Sequence, residues 1–217
     1  MINLLPKNWY QRPLNQDINH ILISHSLNLL KQIDRNKIKF TSLLFNLSTN
    51  HWLVNSLLFE HYGILLTSQN IQSVLDLLKM NYFQITKQFP SQILAKKLKN
   101  KYLKPNQLSP EITIIKAINK NKSQLELFTC TKGLSQKQII ESIPLETHLA
   151  FRIKNFNQFN EIFNYFTKQG FLVQSGGINN IEQMTAIYFV NNQHHNNQLK
   201  IEMFLPGIHS SLVKKIT

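Results

Sequence analysis

Four side chains in this 217-residue sequence have the types and spacing to hold a metal: His61 and Glu126, then His148 and Glu202. Imidazole nitrogen and carboxylate oxygen suit a borderline divalent ion such as Fe, Zn, Ni, Co or Mn. An ion held this way acts as a Lewis acid on a bound oxygen. The donors come as two copies of one pair, which points to a pocket shared by two copies of one structural unit.

Laid side by side, the two stretches show that unit. The first opens HYGILLTS and the second HLAFRIKN. Each continues with an amphipathic run, IQSVLDLLKM and then FNQFNEIFNYFTKQG. An aromatic residue starts the next strand, Phe83 at 22 residues after His61 and Phe171 at 23 after His148. Strands rich in branched residues follow, EITIIKAI and TAIYFV. Both units close on Glu, one apolar residue and Phe, in LELF at 125–128 and IEMF at 201–204. The order in each is β-α-β-β-β. Gly170 stands where a helix C-terminus wants glycine, and Gly176-Gly177 reads as a turn between elements.

Alternation along the strands sets where the donors point, because every second side chain shares a face. His148, Ala150 and Arg152 share one face, opposed by Leu149, Phe151 and Ile153. Lys200, Glu202 and Phe204 oppose Ile201, Met203 and Leu205. Gln124, Glu126 and Phe128 oppose Leu125 and Leu127, and His61 and Gly63 oppose Tyr62 and Ile64. With the apolar faces packed on the helices, all four donors fall on the other side of the sheet.

Residues 1–59 read as a helical N-terminal extension, and residues 60–217 as a tandem domain with units at about 60–130 and 145–207. Leu14, Ile18, Ile21, Leu22, Leu29, Leu30 and Ile33 keep close to a 3.6-residue period, with Asn15 or Asn19 as a cap. A short run, Phe40–Leu47, is ambiguous, and Trp52–Phe59 is dense in Leu. His20, His25 and His51 are scattered singly here and read as surface or core-edge residues. The segment from about Gln84 to Pro110 carries Lys96, Lys97, Lys99, Lys101 and Lys104 and reads as a strand followed by a basic loop. His194 and His195 sit in a hairpin tip, NNQHHNNQ, as loop residues.

Paired βαβββ units with His on the first strand and Glu on the last resemble the vicinal oxygen chelate superfamily, which includes glyoxalase I, extradiol dioxygenases and methylmalonyl-CoA epimerase. The resemblance covers roughly residues 60–206. It implies an α+β fold in which paired modules form a curved mixed sheet around a pocket. It also implies a metal-dependent enzyme acting on a small oxygenated metabolite, as an isomerase, lyase or dioxygenase. One His and one Glu per unit would carry over to His61, Glu126, His148 and Glu202 as ligands. A dioxygenase-like site would use two His and one Glu, most simply His61, His148 and Glu202 on Fe(II). The ion would hold two neighbouring substrate oxygens, and one glutamate, Glu126 or Glu202, would serve as general base beside a carbonyl. Arg152, four residues after His148 on the same face, is placed to hold a substrate carboxylate. The family's 2-oxo-acid dioxygenase branch is expected to have an Arg after the first His, but position 65 here is Leu. Two units can pair within one chain or across a homodimer.

Composition limits the alternatives. Hydrophobic residues make up 42%, enough for a real core, and no apolar run approaches the roughly 18–20 residues of a membrane span. The start MINLLPKNWYQRP lacks the apolar stretch of a secretory leader, and the single Cys130 allows no internal disulfide. A cytoplasmic location is the expectation. The net charge of +13 is compatible with a nucleic-acid partner or with acidic small substrates. Only Arg12, Arg35 and Arg152 supply guanidinium groups, which argues against specific base readout. A metal-free ligand-binding protein on the same fold and a Lys-rich nucleic-acid binder are the competing readings.

Overall fold

The computed structural model describes residues 4–6, 9, 18–67, 70–180, 183–191 and 199–216. Helices α1 (Ile18–Arg35), α2 (Lys37–Phe45) and α3 (Trp52–Ser56) precede strand β1 (Leu57–Leu66). Helix α4 (Ile71–Met80), strand β2 (Gln84–Pro90), helix α5 (Gln92–Tyr102) and strands β3 (Glu111–Ile118) and β4 (Gln124–Lys132) follow. Helix α6 (Gln136–Glu146) leads to β5 (His148–Ile153), α7 (Phe159–Lys168), β6 (Phe171–Asn179), β7 (Met184–Asn191), β8 (Leu199–Pro206) and α8 (Ser210–Ile216). Thus β1-α4-β2-β3-β4 and β5-α7-β6-β7-β8 repeat one βαβββ order, with α5 inserted in the first copy. The fold is α+β, and its strands form one mixed eight-stranded sheet ordered β2-β3-β4-β1-β5-β8-β7-β6. Among the described residues, no helix is long and apolar enough to cross a membrane. His194 and His195 lie outside the described residues.

The chain packs as two compact units that are not consecutive in sequence. One comprises Met1–Leu4, Lys31–His61 and His148–Thr217, the other Leu5–Leu30 and Tyr62–Thr147. In the first, β5 runs parallel to β8, while β8, β7 and β6 pair antiparallel. Its core is a set of phenylalanines on the α7 side. Phe166, 1% exposed, meets Phe45, Phe171 and Phe189 at ring-centroid distances of 5.3, 4.9 and 5.1 Å. Such tilted and edge-on contacts add to the gain from burying the rings.

The second unit has β2, β3 and β4 paired antiparallel. Leu22, Val74, Leu78, Ile115, Leu125, Leu127 and Tyr62 are fully buried in it. Its helices start on side-chain caps: Asn70 accepts from the backbone N–H groups of Gln72 and Ser73, and Ser91 from that of Leu94. Ser135 and Gln138 form a reciprocal capping box at α6. Burial holds the Tyr62 hydroxyl's pKa well above its ordinary value, against a smaller opposing effect of its hydrogen bond with Ser26.

Three local expectations fail for identifiable reasons. The segment expected to be a basic loop forms α5 over Gln92–Tyr102, with Leu94, Ala95 and Leu98 buried and the lysines mostly outside. Lys97 pairs with Glu146 at 2.7 Å, and the Ser142 hydroxyl donates to the Tyr102 oxygen at 2.9 Å, which ties α5 to α6. Gly176 and Gly177 lie inside β6 rather than in a turn, just past a register shift between Val173 and Ser175. A side chain at Gly176 would bring its Cβ to 3.3 Å from the Ala186 carbonyl oxygen, so glycine answers a close backbone approach. Finally, β1 begins at Leu57, four residues before His61, and shortens the helical reading of Trp52–Phe59.

Candidate metal centre

In the first unit, the register places Glu202 beside Ala150 of β5 and opposite Tyr188 of β7. Residues opposed in these ladders project to the same face. That face carries His148 and Ala150 of β5, Glu202 and Phe204 of β8, and Ala186 and Tyr188 of β7. Ala150, Met184, Ala186 and Phe204 form an apolar floor with Tyr188 packed against it. The reverse face carries Phe151 and Phe189 to the phenylalanine core.

His61 of β1 meets His148 and Glu202 on the face those two share. Phe59 packs against Phe151 and Phe40 on the helix side, with centroids at 5.9 and 6.4 Å. Two residues later, His61 meets His148 and Glu202 on the opposite side.

The three donors make a nearly equilateral triangle. His61 Nε2 lies 3.2 Å from His148 Nε2 and 3.3 Å from Glu202 Oε2, and His148 Nε2 lies 3.2 Å from the same oxygen. Donors about 2.0–2.1 Å from a tetrahedral ion stand about 3.3–3.4 Å apart, and octahedral neighbours about 2.9 Å apart. The observed edges lie in that interval and converge on the right atoms, so these residues fit a divalent ion. His61, His148 and Glu202 are 2%, 3% and 4% exposed, which keeps competing water away. The histidine rings stand edge to face at 5.3 Å and 79°.

The other carboxylate oxygen, Glu202 Oε1, accepts a hydrogen bond from the Tyr188 hydroxyl. Burial alone would raise the Glu202 pKa, but hydrogen bonds from His148 and His61, with their charge, hold it well below the usual carboxylate range. Lys200 is also buried here, with its Nζ 4.9 Å from the centre of the Tyr188 ring.

In the second unit, Glu126 is buried on β4 and paired in register with Lys116 of β3, whose Nζ lies 3.4 Å from Glu126 Oε1. Lys116 is itself only 8% exposed. Arg152 lies in the first unit, with its side chain 45% exposed and its Nε bonded to Glu60 Oε1 at 2.5 Å. Cys130 is fully buried. Tyr188 and Lys116 carry no signal in the sequence, and it is cross-strand register that sets them opposite Glu202 and Glu126.

No protein-family profile matches the sequence, and no curated protein sequence matches it. Solved structures are similar to it in fold. A hypothetical protein of Bacillus halodurans superposes with a TM-score of 0.46 at 14% identity, over 68% of this chain and 94% of that one. Methylmalonyl-CoA epimerase of Mycobacterium tuberculosis gives a TM-score of 0.44 at 10% identity, over 69% and 88%. Glyoxalase I of Zea mays gives 0.40 at 13% identity, and the match spans 69% of this chain but only 43% of the maize chain.

Proposed function

We propose that the protein is a metal-dependent enzyme of the glyoxalase type, acting on a small metabolite with neighbouring oxygens. The observation that carries this reading is the buried triangle of His61 Nε2, His148 Nε2 and Glu202 Oε2, with edges of 3.2–3.3 Å. In this reading these three side chains hold a divalent ion. The ion would polarise a substrate oxygen and stabilise negative charge on it.

The chain's own groups do the rest. A carboxylate near the polarised oxygen takes a proton from the adjoining carbon. The Ala150, Met184, Ala186 and Phe204 surface keeps the reacting carbon out of water. Arg152 meets a substrate carboxylate by exchanging its present partner, Glu60.

The test uses chelator-stripped protein reloaded separately with Fe(II), Zn(II), Ni(II), Co(II) and Mn(II). Deuterium exchange at carbon beside a carbonyl is followed by NMR across a panel of 2-oxo and 2-hydroxy acids and thioesters. Exchange that requires metal and is lost in His148→Ala supports the reading. Exchange undiminished in stripped protein, or none with any metal, contradicts it and favours a metal-free binding protein.

A further inference from the structure

Helix α5 has no counterpart in the second copy of the repeat. The first copy joins β2 to β3 through it, whereas the second joins β6 to β7 through residues 180–183 alone. The stretch that carries it, from Gln84 to Pro110, holds Lys87, Lys96, Lys97, Lys99, Lys101 and Lys104 and neither Asp nor Glu. We propose that this inserted helix is a docking surface for a membrane: its lysines bind anionic lipid headgroups, and the exposed Ile93 and Leu108 enter the headgroup region.

The helix turns one face inward and leaves the other to solvent. Leu94, Ala95 and Leu98 are buried, and Lys97 is tied to Glu146 of α6. On the opposite side, Ile93, Lys96 and Asn100 follow at i, i+3 and i+7, the spacing of one helical face, and all three are exposed. Lys101 and Lys104 are exposed as well, and Lys99 is half-buried. Among the described residues, Lys96, Lys99, Lys101 and Lys104 form no ion pair, so their charge is not cancelled locally.

The chemistry favours a lipid surface over nucleic acid. Clamping of nucleic-acid phosphates leans on the arginine fork, and this stretch has no arginine. A phosphate backbone also gives an aliphatic side chain nothing to enter. Ile93 is 71% and Leu108 90% exposed, one near the start of the helix and the other beyond its end, with the lysines between them. Aliphatic side chains beside lysines suit the headgroup region of an anionic bilayer. All of these residues lie in the second unit, and none belongs to the triangle of His61, His148 and Glu202.

Sedimentation of the full-length protein with vesicles, at physiological salt, provides the test. Binding is expected to vesicles of equimolar phosphatidylcholine and phosphatidylglycerol and not to phosphatidylcholine alone. Lys96→Gln, Lys99→Gln, Lys101→Gln and Lys104→Gln together are expected to weaken binding on the order of several hundredfold, about fivefold for each lysine. Lys37→Gln, Lys39→Gln, Lys168→Gln and Lys214→Gln together remove the same charge from exposed lysines of the first unit, and are expected to weaken it by less than about threefold. Ile93→Ser with Leu108→Ser leaves the charge unchanged and is expected to weaken it by about tenfold or more. Failure to bind the anionic vesicles would overturn the proposal, as would equal binding to both kinds. Equal losses in the two four-lysine variants, or parent-like binding by the double serine variant, would do the same. Displacement from the vesicles by duplex DNA at equal phosphate concentration would assign the surface to nucleic acid instead.

Discussion

Replacing His148 with alanine removes one of the triangle's three vertices. Structural zinc sites with four ligands bind with about 10–16 kcal/mol, so one ligand carries on the order of 3 kcal/mol. That is more than about a hundredfold in Kd. At free metal 100 times the parent Kd, binding stabilises the parent by about 2.7 kcal/mol. The same metal concentration would stabilise the variant by about 0.3 kcal/mol. The difference, about 2.4 kcal/mol, corresponds to roughly 5–10 °C in a chain of this size. The assay is thermal unfolding of parent and variant, each stripped and metal-loaded, so that the cost of the substitution itself cancels within each protein. A metal-induced rise in Tm of equal size in parent and His148→Ala would show that His148 is not a ligand.

Other expectations follow from the packing and the charges. Phe166→Ala should cost about 3–5 kcal/mol, because the ring is 1% exposed and touches three other phenylalanines; urea unfolding measures this, and a loss under about 1 kcal/mol would contradict the core described above. The Tyr62 hydroxyl has a folded pKa raised above its ordinary 10.0, so its contribution is fully present below pH 10 and is lost as pH rises beyond it. Stability should fall by up to about 1.4 kcal/mol per pH unit there, and Tyr62→Phe should make that decline shallower in alkaline unfolding curves. Glu60→Gln should change stability by less than about 1 kcal/mol, since its Arg152 partner is 45% exposed and solvent screens the pair; calorimetry showing a larger loss would mean the pair is not a surface interaction.

The repeat was legible because two different periods mark it, apolar alternation in the strands and a 3.6-residue period in α4 and α7. Alternation also sufficed to put His148 and Glu202 on one face, since β5 and β8 keep a regular register there. It also set His61 against Tyr62 and Ile64, and His61 meets His148 and Glu202 in the structure. Helix α5 was hidden by its lysines, whose charge masked the Leu94 and Leu98 spacing of a buried stripe. Gly176 and Gly177 misled because glycine serves a close backbone approach as well as a turn. Tyr188 and Lys116 carried no signal of their own. Their importance comes from standing opposite Glu202 and Glu126, and cross-strand register is a property of the folded sheet.

If His61, His148 and Glu202 bind one divalent ion, anomalous diffraction from crystals grown with Co(II) gives a single strong peak within about 2.0–2.2 Å of His61 Nε2, His148 Nε2 and Glu202 Oε2. Absence of a peak there, with cobalt present in the crystal, would contradict it.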